Sequence, residues 1–294
     1  MDVPTSLYKY RVFNVNSLRL LTEAEVFYAN PNSFNDPLDC DPTLYLDTDR
    51  TALETLCIEL LTRSKSREVA SERITNHRYM STEYGDYMTD ASVERYYMQM
   101  LASDVRQSLV DEFGMMGVFS LASSWDCPLM WSHYADEHRG ICIEYDAADA
   151  EFRNFAAVNY NRVRSIRVSE LAAWKLNGCE NAKTSVFNTF FLSKAPQWKY
   201  EAEWRDISDR QGAQPAPVLI KAVYFGLRCD SSVQTSVVKL LSKSDVTFYD
   251  VYPKDSSFGL ARRHVDKDEI EACGIRSSVL FDFRDIVIDQ HDDA

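Results

Sequence analysis

Residues 128–146 constrain this chain more than any other stretch, because the hydrophobic period changes there from that of a helix to that of a strand within a few residues. Pro128 suits a first helical turn, where its missing N–H costs nothing, and Gly140 suits the stop. An alternating strand follows through Ile141, Cys142, Ile143, Glu144 and Tyr145. Met130, His133 and Tyr134 stand at i, i+3 and i+4 and are expected to share a face flanked by Trp131 and Ala135. Two aromatic rings and an imidazole on one stripe suggest a pocket wall, while the competing reading is a core whose Trp and Tyr satisfy their polar tips locally. His133 is expected to be buried with a ring nitrogen bonded, since an unpaired buried imidazole costs about 1–3 kcal/mol. His138, near the helix end, is expected to face solvent and favour the C-terminal dipole.

The 294 residues, 45% of them apolar, suffice for a single α+β domain spanning 1–294. Against 32 Lys+Arg stand 45 Asp+Glu, a net charge of -13, which disfavours broad nucleic-acid binding through the phosphate backbone. The nearest basic cluster, Arg153, Arg162, Arg164 and Arg167, reads as a solvated face. Cysteines 40, 57, 127, 142, 179, 229 and 273 lack a CxxC pair or zinc spacing, so reduced thiols and no metal are expected. No run is long and apolar enough for a membrane span and no leader pattern opens the chain, so a cytoplasmic protein without a membrane partner is expected.

Leu7 to Phe13 alternate aromatic and charged side chains as a strand; Ser17 is expected to cap a short helix over 18–21, and 25–29 form a second strand. Residues 30–39 form a rigid Asn/Asp/Pro loop that presents Asn35 and Asp36 in fixed directions or uses them to cap its own turn. Helical spacing through Leu53, Leu56, Cys57, Leu60 and Leu61, and again over 93–113, predicts a helical insertion at about 48–114. Residues 75–90, with Tyr79, Tyr84 and Tyr87, read as a mobile or partner-facing connection. Strands are expected at 115–121, 155–160, 218–226 and 246–252, and helices at 169–176, 182–193 and 231–241.

In Trp198-Lys199-Tyr200-Glu201-Ala202-Glu203-Trp204-Arg205, an extended backbone puts Glu201, Glu203 and Arg205 on one side. Like charges there repel unless Arg205 or Lys199 offsets them, an arrangement suited to acid/base or cation-stabilising chemistry or to an ion-paired strand face. Arg205 is expected to compensate Glu203, the catalytic candidate, and Glu201 to reach solvent or an acceptor.

Leu7-Tyr8-Lys9-Tyr10-Arg11, Phe34-Asn35-Asp36-Pro37-Leu38-Asp39, Trp131-Ser132-His133-Tyr134-Ala135 with Gly140-Ile141-Cys142-Ile143, and the Trp198 to Arg205 stretch occur in the order of the signatures of a prokaryotic family, domain of unknown function 2971. The chain resembles that family over about residues 7–250. The order of parts is also similar to ADP-ribosyltransferase-like domains, which implies a single mixed or antiparallel sheet and NAD as substrate. On that resemblance Glu203, Glu201 and His133 are the catalytic candidates. Tyr10, Arg11, Asn35, Asp36, Trp131, Tyr134 and Arg205 form the cofactor-binding set, with Tyr134 stacked on nicotinamide. The implied activity is transfer from a small-molecule nucleotide to an unknown acceptor, by a toxin or phage-defence effector. The alternatives are a non-catalytic regulatory module that binds a ligand or protein, and a nuclease assisted by His133, His138 and acidic residues.

Overall fold

In the computed structural model, which describes residues 3–83, 90–148, 155–160 and 163–272, β1 (Ser6–Arg11) runs through the middle of an eight-stranded sheet. The chain continues through α1 (Val15–Thr22), β2 (Glu25–Tyr28), a 3-10 turn at Pro31–Ser33, β3 (Thr43–Tyr45), and the helices α2 (Arg50–Ser64), α3 (Arg67–Glu83) and α4 (Asp90–Phe113). Next come β4 (Gly117–Ala122), α5 (Pro128–Tyr134), β5 (Ile141–Asp146), β6 (Ala156–Ala157), β7 (Ser165–Arg167), α6 (Val168–Asn177), α7 (Glu180–Phe191) and a second 3-10 turn at Pro196–Glu201. The last described elements are β8 (Glu203–Ser208), β9 (Gly212–Pro215), β10 (Leu219–Phe225), α8 (Ser231–Leu240), β11 (Thr247–Pro253), β12 (Leu260–His264) and α9 (Lys267–Ala272).

In the main sheet the strand order is β12-β11-β10-β5-β1-β4-β8-β6, and only β10 and β11 run parallel among these ladders, so that sheet is mixed; it is not the single sheet expected, since β2 pairs with β9 and β3 with β7 in two further two-stranded sheets. On one side β1 pairs with β5 along its whole length, from Ser6 opposite Asp146 to Arg11 opposite Ile141. On the other it meets β4 at a single pair, Tyr8 opposite Ala122, because the far half of β4 bonds instead to the end of β2. There Ala29 and Val118 exchange N–H to carbonyl bonds, both 2.9 Å. The sheet therefore opens between β1 and β4.

The helical layer packs on the sheet through a shared core. Leu53, Leu56, Leu60 and Leu61 of α2 pack with Leu101, Val105 and Leu109 of α4 and with Val186, Phe190 and Phe191 of α7, in a core that reaches Val118 of β4. Burying side chains of this size stabilises by roughly 1.5–3 kcal/mol each, which fixes the helices against the back of the sheet. A second core lies under β1 and β5 through Leu7, Ile143 and Tyr145, and a third gathers Tyr10, Trp131 and Tyr224 beneath α5.

Several local expectations change. Asn14, not Ser17, caps α1: its Oδ1 accepts from Ser17 N–H at 3.1 Å while Ser17 Oγ accepts from Asn14 N–H at 2.7 Å, a reciprocal box that places Ser17 one turn inside. Residues 75–83 belong to α3, since regular helix there needs only tertiary support and not a clean stripe; Tyr79 is exposed on it, whereas Tyr84 and Tyr87 lie outside the described residues. Arg164 pairs with Asp41 and Arg167 with Asp47, so carboxylates offset that basic cluster, while Arg153 and Arg162 lie outside the described residues. Among the described residues no helix is long and apolar enough to cross a membrane.

Candidate functional site

A cavity of about 380 Å³ occupies the opening between β1 and β4, within the range of about 300–1,000 Å³ common for small-molecule sites. Lys9, Tyr10 and Arg11 form one edge, Val118, Ser120 and Leu121 the other. Phe27, Phe34 and Asn35 close it from the β2 side, and Tyr134, Lys194, Glu201, Glu203 and Arg205 line the remaining wall. Of the residues singled out in the sequence, Tyr10, Arg11, Asn35, Tyr134, Glu201, Glu203 and Arg205 converge here.

The wall is a buried ionic network. Arg205 donates from Nε to Glu203 Oε1 at 2.8 Å and from Nη2 to Oε2 at 3.0 Å. It also donates to Asp39, at 2.9 and 2.6 Å, to the Phe191 carbonyl, at 2.6 Å, and to Cys40 Sγ, at 3.4 Å. Lys194 donates to Glu203 Oε2 at 2.9 Å, bonds Glu201, and lies 3.3 Å from Asp39. All five side chains are buried, so each charge depends on its partners for solvation. Burial works against the Glu203 charge, but Arg205 and Lys194 outweigh it and hold this carboxyl well below the usual carboxylate range. Burial likewise opposes the Lys194 ammonium, and Glu203, Asp39 and Glu201 overcome it and raise its pKa.

Glu201 reaches this network by a different route from the one strand geometry suggests. It ends a 3-10 turn, and Ala202, at φ +43°, swings the chain through the left-handed region before β8 begins at Glu203. Glu201 is therefore 4% exposed and not open to solvent: its Oε1 accepts from Tyr134 Oη at 2.7 Å while the other oxygen meets Lys194. Asn35, on the exposed rim, donates to the same Tyr134 oxygen at 3.2 Å. Burial and the bond to Glu201 push the Tyr134 hydroxyl up, so it stays protonated as a donor.

Three candidates fall outside the cavity. Asp36 accepts from Trp198 Nε1 at 2.7 Å and from Leu38 N–H at 2.9 Å, the turn-capping role of that loop. Trp131 is fully buried below α5, its Nε1 donating to the Trp125 carbonyl at 2.7 Å and its ring edge-on to Tyr10 at 5.2 Å, which makes it core. His133 is exposed, its ring against Tyr134 and Tyr200 with no hydrogen bond from either nitrogen among the described residues, contrary to expectation. At about 100° per residue, Met130, Trp131, Tyr134 and Ala135 span one arc and His133 falls well to its side. His138 is the more buried imidazole. After α5 ends, Asp136, Glu137 and His138 all have positive φ, 50°, 51° and 71°. This left-handed turn folds the His138 ring flat against Trp131, with centroids 6.1 Å apart. Burial, then Arg228, lowers the His138 pKa. A Cβ at Gly140 would lie 2.2 Å from the Arg11 carbonyl oxygen, so only glycine lets this turn close on the end of β1.

Lys9, Asp39 and Lys194 are cavity residues that sequence reasoning missed. Lys9 shares the parity of Arg11 on β1 and was there to be found; Asp39 and Lys194 stand in irregular segments without a period. Among the described residues no group of three or more His, Cys, Asp or Glu side chains is placed to hold a metal ion.

No curated protein and no solved structure matches this chain. The resemblance to an uncharacterised family is borne out over a narrower stretch than the four signatures span: residues 130–205, from α5 through Lys194 and Glu201 to Glu203 and Arg205, match the family model described as Protein of unknown function (DUF2971).

Proposed function

We propose that the cavity between β1 and β4 is the site of an NAD-consuming transferase that moves an ADP-ribosyl group to an acceptor. The observation that supports this reading is Glu203, an ionised carboxylate on the cavity wall, shielded from water and held rigid by Arg205 and Lys194. Bound NAD supplies a nicotinamide–ribose bond whose cleavage leaves positive charge on the ribose. A fixed negative group in a desolvated site stabilises such charge without reorganising, an effect of about 2.7–4 kcal/mol for one preorganised group. Glu201 anchors Tyr134 at the cavity wall, where its ring offers a stacking face to nicotinamide, and Asn35 steadies the same hydroxyl.

One observation favours a non-catalytic ligand-binding module instead: both Glu203 oxygens are already engaged, Oε1 by Arg205 and Oε2 by Arg205 and Lys194. Incubation with NAD labelled in its adenylate half, with lysate as acceptor source and analysis of all products, separates the two. Nicotinamide release with transfer of label supports the transferase. Saturable binding of NAD without either product supports the module.

A further inference from the structure

Three carboxylates line the cavity, Asp39, Glu201 and Glu203, and all three are paired with Lys194 or Arg205. Lys9 and Arg11 of β1 bring the lining to four cations against three carboxylates. Excess positive charge in a desolvated space is relieved by loss of a proton, and a guanidinium does not give one up, so the proton comes from an ammonium. Lys194 is held charged by contact with all three carboxylates. Lys9 has no ion pair among the described residues: its Nζ donates to the Ser120 carbonyl at 2.6 Å and stands 5.5 Å from the centre of the Phe119 ring. Its side chain is half-buried and opens on the cavity. Burial, then the Arg11 charge, lowers the Lys9 pKa to about 7, with Glu203 and Glu201 pulling the other way and Lys194 acting in the same sense as Arg11.

We propose that Lys9 is a covalent binding site for a small aldehyde or ketone, which it holds as an imine through Nζ. A lysine amine that is desolvated and set beside another cation is a nucleophile at neutral pH. Addition to a carbonyl asks of the site only a free lone pair and room for the group added, and the cavity of about 380 Å³ gives that room. The Nζ lone pair forms a bond to the carbonyl carbon, and the nitrogen loses a proton while the carbonyl oxygen gains one. Loss of water from this carbinolamine leaves the C=N bond, with nothing oxidised or reduced. The site goes beyond the transferase reading, because it requires a carbonyl group and not NAD.

The test is reductive trapping of the full chain with glycolaldehyde and cyanoborohydride, the adducts being located and timed by peptide mass spectrometry. At about pH 7 an ordinary lysine is unprotonated in roughly one molecule in 2,500. Expected is trapping at Lys9 at least about tenfold faster than at the exposed Lys199, Lys243 and Lys254 in the same sample. The ratio is expected to fall as the pH is raised toward about 10, where the exposed amines also lose their protons. Lys9→Arg keeps a cation without the amine and is expected to lose the fast adduct; the comparison within the wild type stands where that variant does not fold. Pyruvate and ADP-ribose, whose ribose opens to an aldehyde, then replace glycolaldehyde: faster trapping of the first assigns the site to keto acids, of the second to sugars. Trapping at Lys9 no faster than at the three exposed lysines overturns the site. NAD turnover without preferential trapping removes the imine and leaves the transferase standing; preferential trapping without NAD turnover does the reverse.

Discussion

Glu203 and Arg205 stand two residues apart on β8 and meet through a bidentate contact, Nε to Oε1 at 2.8 Å and Nη2 to Oε2 at 3.0 Å, while the same guanidinium grips Asp39 on its other side. A carboxylate in this position supports the fold as well as any chemistry. Glu203→Gln leaves Lys194 and Arg205 with one charge fewer in a buried network, and breaking such a network typically costs about 3–5 kcal/mol. Urea unfolding of the variant is expected to show a loss of that order with an unchanged slope. A loss below about 0.5 kcal/mol, the level of an ordinary surface substitution, would contradict the ionic brace.

The same carboxylate sets an acid limit. Its folded pKa lies well below the ordinary 4.5, so the unfolded chain binds this proton first. The Glu203 contribution is therefore complete above about pH 4.5 and is lost as the pH falls from there through the folded midpoint. Melting temperatures measured between pH 3 and 7 are expected to fall more steeply on the acid side in the wild type than in Glu203→Gln. Parallel curves would mean that Glu203 is not held ionised.

Much of this frame is legible in the residues themselves. The 3.6-residue spacing of Leu53, Leu56, Leu60 and Leu61 marks α2, and the alternation from Leu7 to Arg11 marks β1. The opening between β1 and β4 is not legible, because it depends on Ala29 replacing β1 as the partner of Val118, a long-range choice without a local signal. Glu201 reaches the predicted neighbourhood of Glu203 through a 3-10 turn and a left-handed Ala202 that no strand period anticipates. The two imidazoles exchange their expected places for a related reason. α5 ends at Tyr134, and the run of positive φ from Asp136 to His138 redirects the chain, so helical geometry stops predicting orientation before His138 is reached.

His133 and Trp131 separate surface from core on one helix. His133→Ala is expected to change stability by less than about 0.5 kcal/mol, and NAD turnover by less than twofold, since the ring is exposed and unbonded. Trp131→Ala is expected to cost about 3–5 kcal/mol through cavity formation under Tyr10. Thermal melts of the two variants side by side check this; a His133 variant as unstable as the Trp131 variant would contradict the placement.

Tyr134→Phe keeps the ring and removes the hydroxyl that joins Glu201 to Asn35. The Glu201 oxygen then loses a donor in a buried site, at a cost of about 1–3 kcal/mol. A stacking role predicts that the variant retains most of its affinity for NAD by titration, whereas Tyr134→Ala loses it. Equal affinity in both variants would remove Tyr134 from the ligand site.

The most direct test of the transferase is the rate of nicotinamide release from NAD by the wild type and by the folded fraction of Glu203→Gln, measured with acceptor-containing lysate present. The predicted result is turnover by the wild type and a loss of at least about 100-fold in the variant, the effect of removing one preorganised charge at the reacting centre. Absence of turnover by the wild type beside an active control, or equal rates in the two proteins, would contradict it.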